Sequence, residues 1–567
     1  MVSKRANDHE IAPDEIFLDS SNLPGRDDLQ VEARVVRSLG SRSIVGIGVV
    51  FAIVTIIFSA RSFELGIVHG AEYAEISREN RLDHSIIFAA RGVIYDRTSR
   101  EIAWNTAPAS STPGSFALRK YIDMPGLSLL LGFVKYPKAD DEGYWWREET
   151  IGVSGVEGVF DEALRGKNGS IMVETDALGN KERQGIVLPT QNGSDIRLSI
   201  DAEVQSKLFS LLSTHAVRQG FIGGAAAIMD VRTGELLALT SFPEYDNHAF
   251  TDGDVSTVSK TSIDPATPLL NRAVSGLYAP GSIVKPIFAV AALNEGIIDP
   301  EKKILSTGAI TIPNRYDPKN PSVYRDWTVH GLVNMREAIA VSSDEYFYQI
   351  GGGYGSQKGL GIERLEKYAR RFGLGVPTGI ELIGEEEGLI PTPEWKATAF
   401  EDDDPWNIGN TYHTAIGQYG FQITPLQAVL FTAAIANGGK LLRPSILIRS
   451  PYLSDVVDYA DVGIPDAYIQ IVREGMRLAV TSDRSDATVK VLNIEGFPIA
   501  AKTGTAQIGA KNQWMNSWNI GYWPAENPKY AYAVVLEKAR AGTLSGAAPA
   551  LRPFFEWLIA NKPEYLH

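Results

Sequence analysis

The sequence predicts an α+β protein of three parts: a single N-terminal transmembrane helix, a small β-rich pedestal, and a larger domain with an antiparallel sheet flanked by helices. Three observations support this architecture. An uncharged apolar run lies near the N-terminus, a region broken up by glycines and prolines follows, and the remaining chain has strand patterns at both ends with helical patterns between them. The predicted boundaries are a largely disordered cytoplasmic tail over 1–43, the helix over 44–60, the pedestal over 61–195 and the larger domain over 196–567.

Composition narrows the classes of function. The chain has 567 residues, 44% of them hydrophobic, which is enough to bury large cores in two or three domains. Its net charge of −14 argues against a nucleic-acid partner. It contains no cysteine, so disulfides and thiolate metal sites are excluded, and we predict neither a cofactor nor a metal.

The apolar run over 44–60 is 17 residues long and carries no charge. At about 1.5 Å per residue it is at the short end of the lengths that cross a bilayer, and a buried helix of a soluble domain is the alternative. Arg34, Arg37 and Arg42 precede the run, while Arg61 follows it. This modest positive bias predicts a single-pass anchor in the plasma or inner membrane, with the larger domain outside the cytoplasm.

Local patterns in the larger domain predict a helix, a hairpin, a mainly helical middle and a final group of strands closed by a helix. The turn residues Arg232-Thr233-Gly234 join the two strands of the hairpin. Strands at the two ends are expected to pair into one sheet. The predicted helices cover 202–217, 283–295, 335–341 and 548–560, and the predicted strands cover 225–231, 235–241, 499–506, 517–523 and 530–536.

The stretch 278–286 contains the first candidate for chemistry. Pro280 and Gly281 make a turn, so Ser282 stands at the start of a helix, where unpaired N–H groups and the helix dipole favour negative charge. Lys285 follows three residues later on the same face and is expected to reach the serine hydroxyl. This arrangement suits a serine nucleophile with a lysine base, although so short a pattern also occurs by chance.

Two further motifs lie downstream. Ser342-Ser343-Asp344 follows the predicted helix over 335–341, and Lys502-Thr503-Gly504-Thr505 lies on a strand that we expect to be central in its sheet. Taken singly, the first is typical of a capping or turn element, and the second is typical of a strand that ends in a turn. In combination with the serine and lysine, they indicate an acyl-transfer site.

Each residue of that combination has a predicted role. Ser282 attacks, Lys285 takes its proton, and Ser342 relays a proton to the leaving amine. Lys502 adds positive potential that holds a substrate carboxylate and, with the helix N-terminus, keeps Lys285 partly neutral. In addition, Gly504 should let a ligand backbone approach the strand, and the backbone N–H groups of Ser282 and Thr505 are the expected oxyanion donors.

The three motifs, in this order, resemble those of penicillin-binding proteins. From Arg91 to the C-terminal helix the chain is similar to class B penicillin-binding proteins, the peptidoglycan D,D-transpeptidases. The sequence Arg91-Gly92 to Ala103 resembles the pedestal signature of that family, and Gly417-Gln418 to Thr424-Pro425 resembles one of its late helical segments. Asp344 at the end of the second motif favours the elongation subtype, penicillin-binding protein 2, over the division subtype.

The resemblance implies a fold like that of penicillin-binding proteins and β-lactamases, and a defined reaction. Ser282 would be acylated by the penultimate D-Ala of a stem pentapeptide, and the terminal D-Ala would leave. An amine from a neighbouring stem peptide would then take the acyl group, and β-lactams would acylate the same serine. A RodA-type glycan polymerase is the implied partner. The implied polar loop consists of Ser342 and Asp344, and the implied carboxylate-binding strand consists of Lys502, Thr503 and Thr505.

Two features depart from the family pattern. Only 48 residues lie between Ala103 and Gly152, so we expect the separately folded head that the family usually carries there to be reduced or absent. Some members of the elongation subtype bind zinc before the second motif, with a cysteine among the ligands. Because this chain has no cysteine, we expect Asp317, Asp326 and His330 to be held by hydrogen bonds rather than by a metal.

Two other classes of function share parts of this pattern. A β-lactam sensor or hydrolase would use the same serine and lysine, but it would need a water and a base to release the acyl group. A catalytically idle scaffold would not need the intact Ser282, Lys285, Ser342, Lys502 and Gly504. The lifetime of a penicillin adduct distinguishes the three classes.

Overall fold

The structure is a computed structural model that describes residues 41–73, 82–107, 115–141, 144–175, 181–314, 317, 319–400, 405–449 and 458–566. The predicted disordered tail therefore lies almost wholly outside the described residues. The chain divides into two compact units, Met1–Leu82 and Asp83–His567. Each unit is described separately below.

The first unit contains the helix α1 over Ser41–Phe63, which continues as a π-helical turn over Glu64–Val68. The stretch Ile44–Val68 has a mean hydropathy of 2.3, and none of it is buried. Its 25 residues are long enough to cross a hydrocarbon layer of about 30 Å. The candidate membrane span is therefore longer than the predicted 44–60, because the apolar pattern resumes after the Arg61–Glu64 ion pair.

The centre of the second unit is a five-stranded antiparallel sheet that joins strands from both ends of the larger domain. The hairpin strands Gly223–Asp230 and Leu236–Phe242 come early in the chain, and Ala500–Ile508, Trp514–Trp523 and Tyr530–Arg540 come late. Gly223–Asp230 pairs with Tyr530–Arg540, which closes the sheet as predicted. The strand order puts Ala500–Ile508 at the edge. The prediction that the Lys502 strand is central is therefore wrong.

Two apolar cores lie on the two faces of this sheet, because side chains alternate along each strand. One core includes Trp518 and Ile520 together with the buried helix Lys285–Asn294. The other includes Trp523 and packs against the C-terminal helix Ala547–Asn561. The helix Lys285–Asn294 is apolar on all sides and is therefore covered on all sides. The turn just before it, Gly281–Val284, packs against the strands Ala500–Ile508 and Trp514–Trp523.

The remaining elements agree with the predicted order of helices and strands, and 335–341 coincides with an observed helix. The further helices of the second unit are Ser128–Leu131, Gly155–Val159, Asp161–Arg165, Ala202–Gln219, Asn247–Asp252, Val255–Ser262, Met335–Val341, Asp344–Gly352, Ile362–Arg371, Pro393–Ala399, Ile408–Ala415, Pro425–Ala436 and Asp466–Thr481. The short strands of its larger domain are Ile304–Ser306, Ala309–Ile312, Ser322–Arg325, Gly331–Val333, Lys440–Leu442 and Tyr459–Asp461.

The pedestal is built from short strands. Ile196–Arg197 pairs with Ile94–Tyr95 and completes a four-stranded sheet, so the chain is continuous in structure across the predicted boundary at 195. The interval between Ala103 and Gly152 holds only short elements in its described part. The pedestal strands are Leu82–Ile87, Ile94–Tyr95, Glu101–Asn105, Arg119–Tyr121, Val134–Lys135, Lys138–Ala139, Trp145–Arg147, Ile151–Gly152, Gly169–Thr175 and Lys181–Leu188.

A buried ion cluster lies within the pedestal, next to its apolar core residues. The carboxylate of Glu157 accepts hydrogen bonds from Arg91 Nε at 2.6 Å and from Arg119 Nε at 2.7 Å, and all three side chains are at most 3% exposed. Arg91 also donates to Asp161 at 2.7 Å. Breaking such a cluster by removing one charge is strongly destabilising, because the remaining charges stay buried and unpaired.

Candidate active site

Ser282 lies in a 3₁₀ turn, Gly281–Val284, and the α-helix proper begins at Lys285. The helix was predicted to begin at 283. Pro286 is accommodated in the first helical turn as expected, since no N–H bond is lost there. Ser282 is half-buried and lines a cleft of about 1190 Å³. The predicted residues that line the same cleft are Ser282, Ser342, Asp344, Thr503, Gly504 and Thr505.

Gly281 fixes the position of this turn against two other elements. Its φ is +56°, a left-handed conformation that favours glycine, and a Cβ there would lie 2.8 Å from the Thr505 carbonyl oxygen. Its N–H donates to the Gly417 carbonyl at 2.9 Å. The serine is therefore held between the edge strand and the turn that follows the helix Ile408–Ala415.

Gly504 makes a close approach to the Ser282 turn that was not predicted from the sequence. A Cβ at this position would lie 2.8 Å from both Ile283 Cγ2 and the Pro280 carbonyl oxygen. The absent side chain therefore lets the Ser282 turn approach the strand closely. Sequence reasoning missed this because the contact joins residues more than 200 positions apart.

Lys285 lies beneath the cleft and is fully buried. Its Nζ donates to the Ser342 carbonyl at 2.8 Å, to Ser342 Oγ at 3.4 Å and to Asp344 Oδ1 at 2.6 Å. None of these three bonds goes to Ser282. The lysine is instead tied to the second motif, which brings the Ser-x-x-Lys pair and the Ser-Ser-Asp loop together as the sequence predicts.

Ser342 occupies the centre of the polar cluster. It ends the helix Met335–Val341 in a left-handed conformation, with φ +57° and ψ +41°, which is uncommon for a residue with a side chain. Its Oγ accepts a hydrogen bond from Lys502 Nζ at 2.7 Å, in addition to the longer bond from Lys285. The hydroxyl thus connects the two buried lysines, and these contacts help to hold the residue in its uncommon conformation.

Lys502 is also fully buried, and it donates to the carbonyl of Thr503 at 2.8 Å. Burial and then the charge of Lys285 hold the pKa of Lys502 well below its ordinary value, while Asp344 acts in the opposite direction. Burial therefore disfavours the charged form of Lys502, which lies next to Ser342. Thr503 is half-buried and Thr505 is exposed, and their side chains line the cleft.

Asp344 is the first residue of the helix Asp344–Gly352. Burial raises the pKa of its carboxyl, the charge of Lys285 lowers it, and the charge of Asp326 raises it further. The net direction is upward.

A second ionic network lies behind the Ser-Ser-Asp loop. Asp326 Oδ2 accepts bonds from Ser343 Oγ at 2.7 Å and from the Glu345 N–H at 2.9 Å. Its Oδ1 lies 3.4 Å from His330 Nε2, and His330 Nδ1 lies 2.8 Å from Asp486 Oδ2. This network holds the first turn of the helix that carries Asp344.

The carboxylates and the histidine of this network shift one another's pKa values so that the charged forms are favoured. Burial raises the pKa of Asp326, but its hydrogen bonds and the charge of Lys285 outweigh burial and bring the pKa down to about 2. Burial lowers the pKa of His330, but Asp326 and Asp486 outweigh it, so the net pKa of His330 is raised. Arg484 pairs with Asp486 at 2.8 Å and donates to the His330 carbonyl at 2.9 Å.

The three residues considered for a metal are therefore not all brought together. Asp326 and His330 meet, whereas Asp317 accepts from Asn320 Nδ2 at 2.6 Å elsewhere in its loop. Asp486 and Arg484 were missed. They lie over 150 residues from His330 in sequence, and no local pattern marks them as its partners.

Comparisons with known proteins agree with this geometry. Residues 224–556, more than half of the chain, match the penicillin-binding protein transpeptidase domain. The chain belongs to the penicillin-binding protein transpeptidase family. Residues 116–198 match the penicillin-binding protein dimerisation domain, which corresponds to most of the pedestal.

Individual members of the family show how far the similarity extends. The chain is 34% identical over 435 residues to MrdA, a peptidoglycan D,D-transpeptidase of Haemophilus influenzae. This alignment covers 73% of this chain and 63% of that protein. The chain thus spans just under two thirds of the length of the curated relatives that it matches first.

Solved structures of family members extend over a larger share of this chain. Penicillin-binding protein 2 of Pseudomonas aeruginosa, in complex with WCK 5153, superposes with a TM-score of 0.67 at 28% identity, covering 85% of this chain and 98% of that one. A chain from a study of how a peptidoglycan synthase complex coordinates polymerization and crosslinking has a TM-score of 0.68 at 25% identity and covers 92% of this chain and 98% of that one. The transpeptidase fold with its pedestal is therefore shared.

Proposed function

We propose that this penicillin-binding protein is a peptidoglycan D,D-transpeptidase that cross-links stem peptides through an acyl-enzyme on Ser282. The observation that carries the proposal is the position of Ser342 Oγ, hydrogen-bonded to both Lys285 and Lys502 in the cleft that Ser282 lines. A serine nucleophile beside a connected set of amines and a hydroxyl has both the base and the proton relay that acyl transfer requires.

In the first half of the reaction, Ser282 Oγ attacks the carbonyl of the penultimate D-Ala. A neutral amine of the lysine pair takes the serine proton, and the cluster passes a proton through Ser342 to the nitrogen of the departing D-Ala. The bond from the carbonyl carbon to Ser282 Oγ forms as the bond to that nitrogen breaks. We assign the N–H groups of Ser282 and Thr505 to the oxyanion that develops between these steps.

The edge strand Ala500–Ile508 is the proposed docking surface for the stem peptide. An edge strand presents unpaired N–H and C=O groups to which an extended peptide can add as a further strand. The exposed Thr505 and half-buried Thr503 supply hydroxyls for the terminal carboxylate, and the buried Lys502 supplies positive potential. The edge position of this strand thus supports the proposal better than the predicted central position would.

The proposed cellular setting is cell-wall elongation at the plasma or inner membrane. The candidate span Ile44–Val68 anchors the chain, and the catalytic domain lies outside the cytoplasm. We expect a RodA-type glycan polymerase as partner, in line with the similarity to a chain from a peptidoglycan synthase complex. β-Lactams are expected to acylate Ser282 in place of the stem peptide.

A fluorescent penicillin tests this function against the alternatives. The protein and its Ser282→Ala variant are labelled, the free label is removed, and the adduct is followed over several hours. A transpeptidase gives a long-lived adduct that Ser282→Ala abolishes. Rapid release of the label would instead identify a hydrolase, and the absence of an adduct would identify a scaffold.

A further inference from the structure

His413 is a cleft residue that the acylation chemistry above does not use. It lies on the helix Ile408–Ala415, and its half-buried side chain lines the same cleft as Ser282 and Asp344. This helix packs against the helix Asp344–Gly352, and His413 comes from a segment that none of the three motifs includes. Its imidazole therefore adds a titratable group to the cleft.

The backbone links His413 closely to the nucleophile. The His413 carbonyl accepts the Gln418 N–H at 2.9 Å, which closes the turn after the helix. Within that turn the Gly417 carbonyl accepts the N–H of Gly281 at 2.9 Å, and Gly281 directly precedes Ser282. The segment that carries His413 is therefore joined by backbone hydrogen bonds to the turn that carries Ser282.

Aromatic rings hold the imidazole in place and leave its nitrogens available. The ring centroid of His413 lies 5.6 Å from that of Tyr324 and 6.4 Å from that of Tyr348, in tilted and edge-on arrangements. Neither ring nitrogen makes a hydrogen bond to any of the residues that the structure describes. The charged group that acts on it from the helix Asp344–Gly352 is Asp344, which raises its pKa, but burial outweighs this and lowers the pKa of His413. At neutral pH the imidazole is thus a free proton acceptor.

We propose that His413 is the general base for the acceptor amine in the second half of the reaction. This inference rests on the proposed transpeptidase function. The neutral amine attacks the carbonyl carbon of the Ser282 ester, a carbon–nitrogen bond forms, and His413 takes one proton from the attacking nitrogen. The ester bond to Ser282 Oγ then breaks, and that oxygen takes a proton from the Ser342–lysine cluster. His413 returns its proton to the cluster through the solvent-filled cleft, so the net change is ester plus amine to amide plus free serine.

The assignment follows from where the other proton carriers lie. Lys285 donates its three hydrogen bonds to Ser342 and Asp344, and Lys502 donates to Ser342 and to a strand carbonyl. We assign these buried groups to the oxygen of Ser282. The incoming amine needs an acceptor that is open to the cleft, and the half-buried His413 supplies one, whereas both lysines are fully buried.

The test separates acylation from transfer in the full-length protein. An N-acyl-D-alanyl thioester serves as donor and D-alanine as acceptor, and the ratio of amide product to hydrolysed donor is measured across pH 5–9. His413→Phe keeps a ring against Tyr324 and Tyr348 but removes the nitrogens. General bases contribute roughly 10²–10⁴-fold, so we expect this variant to lower the transfer ratio about 100-fold. Transfer should fall with pH in both proteins as D-alanine is protonated, and the native protein should show an additional fall at low pH from protonation of His413.

Fluorescent penicillin reports the first half-reaction in the same samples. We expect His413→Phe to be acylated at a rate within about twofold of the native rate, because acylation uses the lysine cluster. His248→Phe is the matched control, since His248 also packs edge-on against a tyrosine but lies outside the cleft lining. A native transfer ratio in His413→Phe, or an equal loss of acylation and transfer, would overturn the proposal. Failure of the native protein to form the penicillin adduct would refute the transpeptidase function instead.

Discussion

Substituting Gly504 by alanine tests whether the edge strand sets the position of the nucleophile. A Cβ at this site would lie 2.8 Å from Ile283 Cγ2 and from the Pro280 carbonyl oxygen. Ordinary contacts between such atoms are about 3.5–4.0 Å, so the Ser282 turn has to move away from the strand by about 1 Å. Overpacking of this kind typically costs about 1–3 kcal/mol of unfolding free energy, which a stable domain tolerates.

The effect on chemistry should be larger than the effect on stability. A displacement of about 1 Å between a nucleophile and its binding groups can lower a rate about 100-fold. We therefore expect Gly504→Ala to fold, to melt a few degrees lower, and to be acylated by penicillin about 100-fold more slowly. The assay is the second-order acylation rate, measured by stopped-flow or gel with a fluorescent penicillin, next to a thermal melt.

Gly185→Ala provides the matched control. Gly185 also lies in a strand, Lys181–Leu188, but a Cβ there would meet no atom within 4 Å. We expect this variant to have native stability and a native acylation rate. Acylation of Gly504→Ala at the native rate would show that the close approach of strand and turn does not position Ser282.

Three further predictions concern the surrounding network. Ser342→Ala and Ser342→Gly should both lower the penicillin acylation rate about 100-fold through loss of the relay. The glycine variant should be about 1 kcal/mol more stable than the alanine variant, because glycine tolerates the left-handed backbone. Equal stability of the two variants would contradict the strain. Asp326 should contribute about 2 kcal/mol of unfolding free energy that is present above about pH 4 and lost toward pH 2, since its folded pKa is about 2 and its unfolded pKa is 3.8. The part contributed by His330 should be present below pH 6.5 and lost as pH rises through its raised folded pKa. Denaturant titrations of the native protein and Asp326→Asn should therefore differ most near pH 4–6.5, and a difference independent of pH would refute this. Glu157→Gln should cost about 3–5 kcal/mol in the same assay, because two guanidinium groups stay buried, and a loss below about 1 kcal/mol would contradict it.

The sequence was informative where chemistry depends on local spacing. Ser282 and Lys285 are three residues apart at the start of a helix, and Ser342 directly follows the helix over 335–341, so each motif could be placed on its element. The predicted strands and helices agree with the structure to within a few residues, because apolar periodicity and turn residues determine them. The pairing of the first and last strands also followed from their order in the chain.

Long-range relations could not be predicted in the same way. The edge position of the Lys502 strand depends on which distant strands pair with one another. The sequence of the strand itself does not predict this position. The contact of Gly504 with Ile283 and the pairing of His330 with Asp486 likewise join segments that are far apart in the chain. The hydrogen bonds from Lys285 to Ser342 could not be predicted for the same reason. The helical spacing alone favoured Ser282 as the partner of Lys285.

The central claim is that Ser282 carries the acyl group, and peptide mapping by mass spectrometry tests it most directly. The protein is incubated with penicillin, denatured, digested and sequenced by fragmentation. We predict a single penicilloyl adduct on Ser282, in the peptide that contains Tyr278-Ala279-Pro280-Gly281-Ser282. An adduct on another residue, or one that persists in Ser282→Ala, would contradict the account.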